Sequence, residues 1–236
     1  MERTEDLQLN GLKILRRDDL PGYTTDSVLL ADFVKTKPGL LICDLGTGTG
    51  IIPLLLIGRM ISIKVTGIEI NQELAELAAR SAELNGLEHS IRTVHGDIRH
   101  IEELVPAQSF HAVVCNPPYF SGDQGRAHTH QLNCDEQDIL KAVKHSLLPK
   151  GYFYTCCPAD RLLIMADVMR QHGLEPKRVR FVASRVEKAP YLVLIEGRLG
   201  AKPGYIIEPQ LIILNESNQY TDELNSIYHI HNEEKS

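Results

Sequence analysis

Apolar and polar residues form two patterns along this chain. From Leu40 to Glu196, apolar runs of strand length are separated by segments in which apolar residues recur at helical spacing. The runs predict buried strands, and the helical spacing predicts helices with one apolar face. Strands are expected from Leu40 onward and at 63–69, 91–95, 110–115, 151–157, 179–183 and 191–196. This order predicts an α/β fold with a doubly wound, mostly parallel, seven-stranded sheet.

The two ends of the chain modify this plan. The last two predicted strands follow each other without a helix, so we expect one antiparallel strand at the sheet edge. Near the start, Asn10-Gly11 favours a two-residue hairpin turn, and a helix is expected over 27–34. No linker interrupts the pattern. A single domain is therefore predicted, with an N-terminal hairpin and helix (1–38), a catalytic core (39–200) and a C-terminal extension (201–236).

Composition and charge narrow the class of protein. Apolar residues make up 43% of the chain, and no apolar run approaches the about 20 residues that cross a bilayer. An acidic start without a signal peptide, together with five cysteines, indicates a cytoplasmic protein without membrane contact. The net charge is −6, but two basic clusters could contact RNA phosphates, or could be ordinary solvated faces. Their members are Lys13, Arg16, Arg17, Lys177, Arg178 and Arg180.

A glycine-rich turn follows the first core strand. Glycine occupies every second position from Gly46 to Gly50. Ile51 stands where a dinucleotide-binding fingerprint has its third glycine. A nicotinamide or flavin enzyme is therefore disfavoured. Asp44 would repel a pyrophosphate but suits a ligand with an ammonium group and a sulfonium. The cofactor predicted is S-adenosylmethionine, bound by residues that include Asp44, Gly46 and Gly48.

Polar side chains also follow the next three strands. Glu69 ends the second strand, where a carboxylate can accept hydrogen bonds from both ribose hydroxyls, and Asp97 follows the third, where it could accept from the adenine amino group. Asn116 follows the fourth strand. Taken individually, Glu69 or Asp97 could simply be a helix cap or an exposed residue. Because ligands bind beyond the carboxyl ends of strands in such sheets, their ordered placement predicts one site.

The sequence Asn116-Pro117-Pro118-Tyr119 predicts the chemistry of that site. The prolines fix a turn and leave carbonyls free to accept hydrogen bonds, Asn116 adds a side-chain acceptor, and Tyr119 adds a flat surface. This arrangement would hold a planar amine for methylation. We expect Asn116, Pro117 and Tyr119 to be catalytic, with Asn116 also close to the cofactor.

These residues resemble those of class I S-adenosylmethionine-dependent methyltransferases with an Asn-Pro-Pro-Tyr turn, which have a Rossmann-like fold. Segments 23–31, 116–120, 174–178 and 220–223 are similar to a narrower bacterial family, the valine-tRNA adenine-N6 methyltransferases, which act on the adenine beside the anticodon. The resemblance implies methylation of adenine N6 in a tRNA anticodon loop. It also implies that Asp26, in segment 23–31, contributes to the cofactor site.

The chain departs from that family at residues 126–134, where Arg126-Ala127-His128 replaces an Arg-His-Glu-type segment. His128, His130 and Cys134 lack a fourth ligand at suitable spacing, so no metal is predicted. Other substrates remain open: a protein glutamine, or a base of rRNA or DNA. A cofactor-binding RNA-binding protein without turnover is a further alternative.

Overall fold

The computed structural model describes residues 1–117 and 134–230. Its N-terminal part is an antiparallel hairpin of β1 (Glu2–Asp6) and β2 (Lys13–Arg17), followed by helix α1 (Thr25–Phe33). Asn10 and Gly11 have φ of 51° and 71°, and Leu12 N–H donates to the Leu9 carbonyl at 2.9 Å. These positive φ values make the two-residue turn predicted from Asn10-Gly11.

Strands and helices then alternate as predicted. The core consists of β3 (Leu41–Leu45), α2 (Ile51–Arg59), β4 (Lys64–Glu69), α3 (Gln72–Leu84), β5 (Ile91–His95), α4 (Ile101–Leu104), β6 (Phe110–Cys115), α5 (Glu136–Ser146), β7 (Leu147–Pro158), α6 (Leu162–Gln171), β8 (Leu174–Ala183) and β9 (Leu192–Leu199). Short elements complete the described chain: β10 (Ile206–Ile207), β11 (Leu211–Ile212) and α7 (Asp222–Ile227). Asn71 and Asp135 cap α3 and α5 through their side chains, which explains why those helices begin there.

The main sheet has the strand order β10-β8-β9-β7-β6-β3-β4-β5, with β11 also paired to β8. Within the described residues it therefore has nine strands rather than the predicted seven. The predicted antiparallel strand is β9, which pairs antiparallel with β7 and β8, and the other pairings are parallel. β9 is an internal strand rather than the predicted edge strand, because β8 pairs with the side of β9 that faces away from β7. The short strands β10 and β11 cover the edge that β8 would otherwise expose.

Apolar side chains pack on both faces of this sheet. One cluster joins α1 and α2 to the sheet, and the other joins α5 and α6 to the opposite face. All five cysteines are buried and unbridged, as expected for small core residues. None of the helices in 1–117 and 134–230 is long and apolar enough to cross a membrane.

Candidate active site

The glycine turn between β3 and α2 is shaped for close approach of a ligand. Gly46, Gly48 and Gly50 have φ of 74°, 56° and 84°, a region that strongly favours glycine. A Cβ added to Gly46 or Gly48 would have nothing within 4 Å, so space lies open before both residues. The turn therefore has room for a cofactor against its backbone.

Asp44 is the most unusual group in this region. It is 0% exposed, and neither carboxylate oxygen has a hydrogen-bond partner among the described residues. Burial raises the pKa of Asp44 to about 7; the nearby Thr47 hydroxyl opposes this shift and the Glu69 charge adds to it. Within the described part of the chain, the Thr47 and Thr49 hydroxyls are likewise buried with no partner at hydrogen-bond distance and angle. Since unpaired buried acceptors are costly, this group of oxygens fits a ligand that brings hydrogen-bond donors, such as an ammonium group.

Glu69 connects two parts of the site. Its Oε2 accepts a hydrogen bond from Gly48 N at 2.8 Å, and its Oε1 accepts from Asn71 N at 2.9 Å. The side chain is buried, with 7% exposure. The structure thus places Glu69 at the end of β4 as predicted, and its contacts hold the glycine turn; hydrogen bonds to ribose hydroxyls stay a prediction.

Asp97 lies at the same edge of the sheet, after β5. Its carboxylate accepts from the backbone N–H of Arg99 and from the Arg99 guanidinium, both at 2.9 Å. The Arg99 hydrogen bond lowers the pKa of Asp97. Sequence reasoning missed this pairing, which keeps Asp97 charged; its contact with the adenine amino group stays a prediction.

Asn116 follows β6 and is held by side chains from two other elements. Its Nδ2 donates to Ser27 Oγ at 2.8 Å, and its Oδ1 accepts from Cys156 Sγ at 3.1 Å. Pro117 is buried beside it, whereas Tyr119 lies outside the described residues, as do His128 and His130. Ser27 and Cys156 were not identified as site residues from the sequence, although Ser27 lies in the segment that carried the family resemblance.

Asp26 precedes Ser27 in the first turn of α1. Burial raises the pKa of Tyr191 to about 12, and the charge of Asp26 adds to this shift. Tyr228, near the C-terminus, donates from its hydroxyl to Thr25 Oγ1 at 3.1 Å. Tyr191 and Tyr228 therefore lie close to the start of α1, whose Ser27 contacts Asn116. A role of Asp26 in cofactor binding remains a prediction.

The predicted RNA-contacting cations are mostly paired within the protein. Arg178 is buried, bonded to Glu196, Glu208 and the Phe33 carbonyl, so its assignment as a surface phosphate contact was wrong. Arg16 pairs with Glu5, Arg17 with Asp19 and Glu73, Arg180 with Glu223, and Lys177 donates to the carbonyls of Lys202 and Gly204. Lys13 is exposed. Across the described ranges, no three His, Cys, Asp or Glu side chains are grouped to hold a metal ion.

Comparison with known proteins decides the class of this site. Residues 36–177, more than half of the chain, match the model of a methyltransferase domain. The chain belongs to this methyltransferase family. It is 30% identical to a tRNA1(Val) (adenine(37)-N6)-methyltransferase of Bacteroides fragilis, over 72% of this chain and 74% of that protein. A protein of the same name from Tolumonas auensis is 27% identical, with 84% of both chains covered.

Solved structures confirm the Rossmann-like methyltransferase fold. A structure described as a predicted O-methyltransferase from Agrobacterium tumefaciens superposes with a TM-score of 0.74 at 21% identity, covering 86% of this chain and 95% of the other. A methyltransferase from Pyrococcus furiosus gives 0.61 at 22% identity, covering 82% and 91%. For this family member, the predictions of a methyltransferase and of S-adenosylmethionine as its cofactor are confirmed.

Proposed function

We propose that this methyltransferase transfers a methyl group from S-adenosylmethionine to N6 of an adenine in a tRNA anticodon loop. The observation that carries this proposal is the placement of Asn116, fixed by two side chains, at the sheet edge that also holds Asp44 and Glu69. The names of its relatives support adenine N6 of a tRNA as the target. A tRNA substrate would place the protein in the cytoplasm.

Cofactor binding would use the acceptors at the ends of β3, β4 and β5. The cofactor supplies an electrophilic methyl group on a sulfonium. Asp44 would meet the ammonium group across the turn of Gly46 and Gly48, Glu69 would accept from ribose hydroxyls, and Asp97 would accept from the adenine amino group. The Glu69 carboxylate is already fixed by two backbone donors, so little reorganisation is needed on binding.

The Asn116 side chain and the Pro117 carbonyl would orient the target amine. Both oxygens would accept its protons, which draws the nitrogen toward tetrahedral geometry and directs its lone pair at the methyl group. Tyr119 would stack on the base. No strong general base is required if the proton leaves after transfer, so positioning supplies most of the catalysis. An unpaired loop base is the natural substrate because removing it from its stack costs less than in a duplex.

Phosphate contacts would come from exposed cations such as Lys13. Arg16, Arg17 and Arg180 would contribute where phosphate replaces their carboxylate partners, and Lys177 where phosphate replaces its carbonyl partners. Replacement of any one phosphate-binding cation by a neutral residue should reduce the salt dependence of RNA binding by about one unit of slope.

The test is incubation of the purified protein with isotope-labelled S-adenosylmethionine and total RNA from a strain lacking the gene, followed by nucleoside mass spectrometry. Labelled N6-methyladenosine in one tRNA is the expected result. Label in guanosine, or, in parallel incubations with DNA and with soluble protein of the same strain, in a DNA base or a protein glutamine, would retain the methyltransferase and overturn the substrate. Cofactor binding with no transfer to any of these would favour an RNA-binding protein without turnover.

A further inference from the structure

The Asn116 amide lies between two buried side chains that come from distant parts of the sequence. Ser27, in the first turn of α1, is 7% exposed, and Cys156, near the end of β7, is 0% exposed. Ser27 Oγ accepts from Asn116 Nδ2 at 2.8 Å, and Cys156 Sγ donates to Asn116 Oδ1 at 3.1 Å. One neighbour thus contacts the nitrogen of the amide and the other contacts its oxygen.

We propose that Ser27 and Cys156 are positioning residues that hold the Asn116 amide with its oxygen towards the amine to be methylated. This inference rests on the proposed function. An amide oxygen and an amide NH₂ have nearly the same shape, so a half-turn of the side chain exchanges them. In the orientation observed, the oxygen can accept an amine proton. In the inverted orientation, NH₂ would face an N–H donor, and the attraction would be lost.

The two contacts hold both ends of the amide. The Ser27 hydroxyl and the Cys156 thiol can each donate or accept, the thiol weakly, so together they fix the plane and position of the amide in the observed orientation. Loss of either contact would leave a polar atom of a buried amide unsatisfied, which is costly. An amide oxygen has two lone pairs, so Oδ1 can accept from Cys156 and from the substrate amine together.

Both positioning residues are themselves held firmly. Ser27 N donates to the Thr24 carbonyl at 3.1 Å, in the first turn of α1. At the other end of α1, Arg178 donates to the Phe33 carbonyl at 2.6 Å. Cys156 lies opposite Leu194 in the pairing of β7 with β9. A rigid support of this kind is what an orienting hydrogen bond requires.

The matched pair Ser27→Thr and Ser27→Val tests the role of Ser27. The two variants have nearly the same shape, but only Thr keeps the hydroxyl. We expect kcat of the Val variant to be about tenfold below that of the Thr variant, the loss of one oriented hydrogen bond, with equal S-adenosylmethionine affinity. The Val variant should also have a lower Tm, because it leaves the buried Asn116 Nδ2 without this partner. Equal kcat for both variants would overturn the proposal, as would a parallel loss of cofactor affinity.

Cys156→Ser and Cys156→Ala test the second contact in the same way. Serine keeps a donor to Oδ1 and alanine removes it, so turnover should be retained by serine and reduced by alanine. Similar turnover in both variants would show that Cys156 only fills space.

A measurement independent of turnover separates this inference from the proposed function. In ¹⁵N-labelled protein, the Asn116 Nδ2 protons should exchange slowly with water in the wild type and in Ser27→Thr, and faster in Ser27→Val. Absence of methyl transfer from the wild type to tRNA, with this exchange pattern intact, would overturn the proposed substrate alone. Identical exchange in the three proteins would overturn the orientation of the amide by Ser27.

Discussion

Glu69 Oε2 and Gly48 N are joined by a 2.8 Å hydrogen bond between the end of β4 and the glycine turn. The other oxygen of the same carboxylate accepts from Asn71 N, at the start of α3. One side chain therefore sets the distance between two loops that are 21 residues apart in sequence. This contact shapes the turn before any ligand binds.

Replacement of Glu69 by glutamine should weaken binding of S-adenosylmethionine. The amide brings an NH₂ group towards a backbone N–H and removes the charge, a loss of about 1.5–3 kcal/mol, or roughly tenfold to a hundredfold in affinity. Isothermal titration calorimetry measures the change. Glu76→Gln, on the exposed side of α3, is the matched control. Equal affinities of the two variants would contradict the assigned role of Glu69.

The pKa of Asp44 should make the stability of the ligand-free protein depend on pH. Because burial raises this pKa from 3.8 to about 7, the folded protein holds the proton more tightly than the unfolded chain. The free energy of unfolding contributed by this group therefore falls as pH rises through that range. Asp44→Asn should have a higher Tm than the wild type at about pH 8 and a weaker pH dependence. An unchanged pH dependence in the variant would exclude Asp44 as its source.

Replacement of Asn116 by alanine should reduce turnover far more than cofactor affinity. The side chain is expected to contact the amine in the transition state, and loss of such a donor or acceptor costs about a hundredfold or more in kcat. Single-turnover kinetics with a cofactor titration separate the two quantities. A parallel loss of both would assign Asn116 to cofactor binding alone.

Replacement of Arg178 by methionine should destabilise the protein. Its loss leaves the buried Glu196 without its 2.8 Å ion-pair partner, and breaking such pairs costs about 3–5 kcal/mol. Chemical denaturation measures the effect, with the exposed Arg92→Met as control. Under conditions where the variant is folded, the salt dependence of its RNA binding should match the wild type. A reduced salt slope would restore Arg178 as a phosphate contact.

Local signals in the sequence predicted much of this fold. The limits of β5 and β6 agree with the predicted 91–95 and 110–115. β6 is a mostly apolar run, and β5 is rich in β-branched residues and lies between Asn85-Gly86 and Gly96. The caps Asn71 and Asp135 are also local signals, since a cap and its helix are adjacent in sequence. The placement of Asp44, Glu69 and Asn116 at one edge of the sheet could be predicted because the carboxyl ends of parallel strands lie at the same edge.

Features that depend on distant pairs could not be predicted in this way. Arg178 is indistinguishable in sequence from a surface cation until the fold brings it to Glu196, 18 residues away, and to the Phe33 carbonyl, 145 residues away. The contact between Asn116 and Ser27 spans 89 residues. The position of β9 likewise depends on a distant choice. β9 lies between β7 and β8 rather than at the edge, and neither β8 nor β9 has a sequence feature that predicts this order.

The reversed direction of β9 has a consequence for how such an enzyme can change its substrate. Since β9 runs opposite to its neighbours, its first residues and the end of β8 lie on the same edge as Asn116, and the segment 184–191 that joins them ends at the partly exposed Tyr191. A change in length or sequence there would alter the surface at this edge without changing the paired strands. Chemistry and recognition can thus evolve separately in this architecture.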